Sequence, residues 1–354
     1  MIVDFNPEML VLARESRGHT QSSLARSVGV VQATISKAES ATIPVSEELV
    51  AKLSAVLQYP TQFFSQRDAV YGFASSIFYH RRQQSLSNRT LRQLHAQVNI
   101  RRNHIKRLLR AAELDSSEGF LHLDLDDYRR NVEKIAQLVR GAWRLPPGPV
   151  RNLTEAIESN GGIVVRKDFE TRKIDAISEW TEPCPPLFFV NSQPEITGDR
   201  LRYSLAHEIG HVVMHRLPTP DMEDQANRFA SEFLMPAHEI KPYLFRLNIP
   251  KLAVLKAEWK VSIAALIERA FELGSLTRHQ RQNLIIGLKR STHSFREPKE
   301  TDIPIENPRV LDELVELHMH DLGYSIDEIS SMVAELETNF RSLYLPNSKV
   351  VNFR

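Results

Sequence analysis

His207-Glu208-Ile209-Gly210-His211 stands inside an apolar helical run, Leu205 to Met214, and decides how the central part of the chain is read. Two histidines four residues apart lie about 40° apart around a helix and one turn along its axis, so both can face one ion. Neutral imidazole suits zinc, and Glu208 can project toward a metal-bound water as general base. A pair of helix histidines can also be purely structural, so the neighbouring sequence has to decide.

The next helical stretch, Met222 to Met235, is stopped by Pro236. Ala226, Phe229, Ala230, Phe233 and Leu234 give it one apolar face at helical spacing. Glu223 falls on that face, whereas Asp224 and Glu232 are expected to point away. A carboxylate on a buried face is costly unless paired or bound to a cation, which makes Glu223 the natural third ligand. Asn227, one turn on, is expected to orient it. The expected set is two His and one Glu around Zn2+ with one position left for water, as in catalytic zinc sites. Met214 and Leu217 occupy the positions where a metzincin needs Gly and His. His215 falls near the same side of the first helix and is read as a supporting group rather than a ligand. Tyr203, His215, Arg228 and His238 are each candidates for stabilising an oxyanion, and the sequence does not rank them.

The rest of the chain bounds this reading. A length of 354 residues suggests two or three domains, and a hydrophobic fraction of 42% with 25% charged residues is ordinary for a globular protein. No run of eighteen apolar residues suggests a membrane span, and MIVDFNPEML has no secretory pattern. The single cysteine, Cys184, excludes an internal disulfide framework and any multi-cysteine zinc site; a cytoplasmic location is expected. Net charge is +1, but Ala69 to Ala112 carries nine Lys/Arg and no Asp or Glu, either a solvated face or a phosphate-contacting surface.

Residues 8–57 alternate helical periods with short breaks. Thr20 is a plausible cap for a helix carrying Leu24, Ala25 and Val28, and Gly29 suits the tight turn that follows. In the next helix Ile35 and Ala38 turn inward. Gln32, Thr34, Ser36 and Lys37 are left outward, suited with Gln21 to base edges and phosphates. This stretch resembles the lambda-repressor-like (Xre) helix-turn-helix family through Thr20-Gln21, Leu24-Ala25, Gly29-Val30, Gln32 to Lys37 and Glu39. Val31 stands where that family usually has a Ser or Thr cap, and Ser40 where it usually has Gly. Such domains commonly act as dimers on two half-sites, which raises a homodimer as a candidate state.

Arg202 to His211, Glu223 to Ala230 and Leu234-Met235-Pro236 resemble the ImmA/IrrE metallopeptidases; Asp175 to Ser178 and Phe189-Val190-Asn191 look like further positions of that family. The resemblance implies a gluzincin-like α+β zinc peptidase fold with His207, His211 and Glu223 as ligands and Glu208 as base. It also implies a protein substrate that is a transcriptional repressor, cut or inactivated during stress or mobile-element induction. The expected chain is multidomain and mainly α, with a small antiparallel sheet built from segments around Ile163, Ala176 and Leu187. Its parts are an Xre-type DNA-binding domain at 1–66, a basic helical linker at 67–118 and the peptidase domain at 119–245. A helical, helix-turn-helix-like module at 246–295 and a C-terminal helical region at 296–354 follow. The competing reading is a DNA-binding regulator whose peptidase-like domain is a sensor or scaffold without turnover.

Overall fold

A computed structural model describes residues 4–70, 86–112, 120–181, 184–291, 297 and 299–345. The chain forms two compact units, Met1–Leu114 with Val310–Arg354, and Asp115–Arg309.

The first unit opens with α1 (Pro7–Ser16), α2 (Gln21–Val28), α3 (Gln32–Glu39) and α4 (Glu47–Leu57). Local chemistry sets these boundaries. The Thr20 hydroxyl accepts from the Ser23 amide and the Ser23 hydroxyl returns the bond, closing a capping box at the start of α2. Gly29 ends α2 at φ 78°, a left-handed conformation that costs glycine little. Val31 precedes α3 without any side-chain cap, as its apolar side chain dictates. Leu10, Ala13, Leu24, Ile35, Ala38 and Leu53 are buried together in the core of the bundle. Residues 67–118, expected as a basic linker, contribute α5 (Asn88–Leu108), whose Ala96 and Ile100 join this core; residues 71–85 and 113–118 lie outside the described set.

The second unit carries α6 (Val132–Ala142) and α7 (Leu153–Ser159). The expected helix from Tyr128 to Leu145 is shorter because Arg129 and Arg130 sit at φ 53° and 57°, leaving Asn131 as the cap. β1 (Ile163–Lys167), β2 (Ala176–Glu179) and β3 (Leu187–Asn191) form one sheet in the order β1-β3-β2. The sheet is mixed rather than antiparallel. β3 pairs antiparallel with β2 (Ile177 opposite Phe189) but parallel with β1 (Val164 opposite Phe188). The chain leaves β1 for the far edge before turning back, so β3 enters between its two predecessors. All five β3 residues are buried, as a central strand covered on both faces requires.

α8 (Gly198–Met214) and α9 (Met222–Leu234) follow and carry the candidate site. α8 is buried over most of its length, and Gly210 allows α9 to approach it. A Cβ on Gly210 would stand 3.1 Å from the Cβ, Cγ and Cδ1 atoms of Phe229. α10 (Ala237–Ile240), α11 (Ile249–Trp259), α12 (Ile263–Glu272) and α13 (Arg278–Ser291) complete this unit, with Trp259, Leu266 and Ile267 in the same core as Phe229 and Phe233. The chain then returns to the first unit with α14 (Val310–Glu316), α15 (Ile326–Val333) and α16 (Glu337–Tyr344). No described helix is long and apolar enough to cross a membrane.

Candidate metal centre

α8 stacks His207 and His211 one turn apart, bringing their Nε2 atoms to 2.9 Å. The first turn of α9 brings Glu223 to the same point: Oε2 lies 3.5 Å from His207 Nε2 and Oε1 3.4 Å from His211 Nε2. Among the described residues, this trio alone brings three ligand atoms within 4.8 Å of one another, and it could hold a metal ion. His211 is fully buried, whereas the Glu223 side chain is 39% exposed, so the trio opens toward solvent on the Glu223 side.

The hydrogen bonds behind the trio decide what it offers. Gln225 Oε1 accepts from His215 Nε2 at 2.9 Å, which leaves His215 Nδ1 as an acceptor. His211 Nδ1 stands 3.0 Å from that nitrogen and must donate to it. His207 Nδ1 likewise donates to Asn227 Oδ1 at 3.0 Å. Each imidazole then turns an Nε2 lone pair toward the other and toward Glu223. Burial holds His211 down to about 3, so its ring is neutral at pH 7. Burial lowers His215 as well. Glu223, with its side chain 39% exposed, is an ionised carboxylate at pH 7. Glu223 Oε1 is buried without a hydrogen-bond partner. Two facing lone pairs and an unpartnered carboxylate oxygen are an unfavourable set until a cation joins them, so these residues fit a divalent metal.

Glu208 is buried beside the trio but is anchored elsewhere: its Oε2 accepts from the Ser178 amide at 2.9 Å and the Ser178 hydroxyl at 2.6 Å. Ser178 lies on β2, an edge strand packed on α8, so the sheet sets the rotamer of Glu208.

Several expectations need correction. Asn227 holds His207 rather than Glu223. Glu232, expected to point away from the core, is fully buried and pairs with Arg269 of α12 and Gln137 of α6, at 2.9 Å for the latter. α9 is therefore packed on more than the single face its apolar residues mark. Among the oxyanion candidates, Arg228 is bound to Glu133 at 2.8 Å, His238 is exposed beside Glu239, and His215 is committed to His211 and Gln225. The Tyr203 hydroxyl lies 3.2 Å from Ser231 Oγ, and burial pushes its pKa up. The roles of Ser178 and Gln225 carry no motif of their own in the sequence.

In the first unit, Gln32 and Lys37 are exposed and Gln21, Thr34 and Ser36 half-buried. Gln32 Nε2 donates to Gln21 Oε1 at 2.8 Å, and Gln21 Nε2 donates to Glu39 at 2.7 Å, so the two amides are linked across α2 and α3. Arg14 also binds Glu39, at 2.5 Å, tying α1 to the same cluster.

Comparison with known families agrees with this division. Residues 158–271 match the family model described as the IrrE N-terminal-like domain, peptidase M78, and residues 10–64 match one described as helix-turn-helix. No curated protein matches the chain. The chain therefore joins a helix-turn-helix segment, a fold used to bind DNA, to an IrrE N-terminal-like domain of the M78 peptidases.

Proposed function

We propose that this chain is a zinc-dependent endopeptidase that cleaves a transcriptional regulator, in the cytoplasm, during a stress or mobile-element response. One observation carries the reading. A trio of two imidazoles and a carboxylate shares a point while a second carboxylate, Glu208, is held beside it by donors outside the trio. A structural site has no use for that second carboxylate.

His207, His211 and Glu223 would hold Zn2+. When bound there, the ion supplies a Lewis acid that acidifies water and polarises a peptide carbonyl. Glu208 then accepts a proton from the attacking water and passes it to the departing amine. The Ser178 donors keep the carboxylate aimed while it does so. Asn227 and His215 keep the ligand nitrogens unprotonated on their Nε2 side. Gln21, Gln32, Thr34, Ser36 and Lys37 would contact DNA, which brings the peptidase to a DNA-bound repressor.

The test is co-expression of the full chain with candidate regulators, wild type against Glu208→Gln, with fragments identified by mass spectrometry. The variant should keep its metal, measured by elemental analysis, and lose cleavage. Unchanged proteolysis in Glu208→Gln refutes the base assignment. Specific DNA binding with no fragments from any partner favours the regulator or scaffold reading instead.

A further inference from the structure

A cavity of about 520 Å³ begins one turn from His207 along α8 and about two turns from Glu223 along α9. Tyr203, on its wall, precedes His207 by one turn of α8, and Ser231, also on its wall, follows Asn227 by one turn of α9. One turn is about 5.4 Å, or roughly two residues of an extended peptide.

Carboxylates dominate the rest of the wall. Lys256 is buried and serves two of them, Asp199 at 3.0 Å and Glu297 at 2.7 Å, so one negative charge there has no cation of its own. The Asp199 side chain is 4% exposed, and its Oδ1 has no hydrogen-bond partner. Asp175 pairs with Arg200 at 2.6 Å through Oδ2, and its Oδ1 also has no partner. Buried carboxylate oxygens left without donors are costly, and a donor-rich cation relieves that cost. A metal ion does not answer the need, because among the described residues only His207, His211 and Glu223 bring three ligand atoms within 4.8 Å. The carboxylates are spread out, which suits an extended fork of N–H donors.

We propose that this cavity is a specificity subsite for an arginine side chain of the substrate, within about two residues of the scissile bond. Asp199 and Glu297 supply the charge, Asp175 a further acceptor, and Tyr203 and Ser231 the boundary with the site. The proposal rests on the peptidase reading for its substrate but not for its ligand chemistry, and the two can be tested apart.

Calorimetry on the full chain compares acetyl-arginine amide with acetyl-citrulline amide, which has the same shape without the charge. Arginine should bind at least about tenfold more tightly, and both Asp199→Asn and Glu297→Gln should bring the ratio near one. Glu297→Gln keeps the Asp199–Lys256 pair and serves if Asp199→Asn does not fold. Equal binding of the two amides by the wild type overturns the proposal. In a second arm, digestion of a mixed peptide pool should enrich arginine within two positions of the cut. Glu208-dependent cuts without that enrichment also overturn it. Absence of all Glu208-dependent cleavage strikes the peptidase reading, and the arginine-to-citrulline ratio still decides the cavity.

Discussion

Replacing His215 by Phe tests the hydrogen-bond chain behind the trio most directly. His211 is fully buried, and its Nδ1 proton has His215 Nδ1 as acceptor at 3.0 Å. Phe fills a similar volume without an acceptor. The His211 ring then either leaves a buried N–H unpaired, at a cost of about 1–3 kcal/mol, or moves its proton to the nitrogen that should face the metal. Loss of such a partner typically weakens metal binding by about 10- to 100-fold, which is about 1.4–2.7 kcal/mol. Asn227→Ala removes the equivalent acceptor from His207. His207 is slightly exposed, so water can replace Asn227 there, and the loss should fall near the lower end of that range. The two partners support ligands of one shared ion, so the double variant should depart from simple additivity. Asn227→Asp, which keeps an acceptor, should retain the metal. Zinc affinity is read by competition with a chromophoric chelator at neutral pH, with thermal unfolding as the control for folding. A folded His215→Phe protein that binds zinc within threefold of wild type would refute the tautomer reasoning.

Further outcomes follow from the same geometry. Gly210→Ala places a methyl 3.1 Å from three Phe229 side-chain atoms; the overpacking should cost about 1–3 kcal/mol, partly offset by up to about 1 kcal/mol of helix propensity. Its midpoint of thermal unfolding and its zinc affinity should fall together, because the same contact spaces the helices that carry the ligands. Lys37→Ala, at an exposed position on α3, should reduce the salt dependence of DNA binding by about one unit of slope without changing stability; an unchanged slope removes Lys37 from the DNA interface. In the first unit, burial pushes His95 down to about 4, and His104 is lowered as well. A histidine whose folded value lies below its unfolded one favours folding fully above about pH 6.5 and loses that contribution as pH falls toward the folded value. His95 should therefore cost about 2 kcal/mol of stability between pH 7.5 and 5, and His95→Phe should flatten the pH dependence of the urea midpoint. A midpoint that does not move with acid contradicts the burial of these rings.

What could be read from sequence depended on whether the deciding partners were local. Thr20 and Gly29 bound α2 through groups within a few residues, and both did so as expected. His207 and His211 are related by helix geometry alone, so their convergence needed no tertiary information. Glu223 required one further step, the facing of two consecutive helices, and the apolar face of α9 was enough to supply it. Strand direction was not available from the alternation of residues, because whether β3 lies at the edge beside β2 or between β1 and β2 depends on loops with no periodicity. Glu232 was misplaced for a related reason. Counting around a helix marks where apolar side chains lie, but Arg269 and Gln137 come from other helices and make a second buried face tolerable for a carboxylate.

The same distinction separates the two halves of the candidate site. The ligand set depends on α8 and α9 and on the Gly210–Phe229 contact that fixes their spacing. The proposed base depends on β2, because the Ser178 amide and hydroxyl both donate to Glu208 Oε2. A change that shifts the edge strand without touching the helices should therefore leave metal binding intact and lower turnover, whereas a change between the helices should lower both. Ser178→Pro removes the amide and the hydroxyl together from the edge of the sheet, and Ser178→Ala removes only the hydroxyl. Turnover should fall in the order wild type, Ser178→Ala, Ser178→Pro, with zinc content unchanged in any variant that stays folded. Zinc loss in folded Ser178→Ala would mean that the sheet supports the ligands as well as the base, and the division between the two supports would fail.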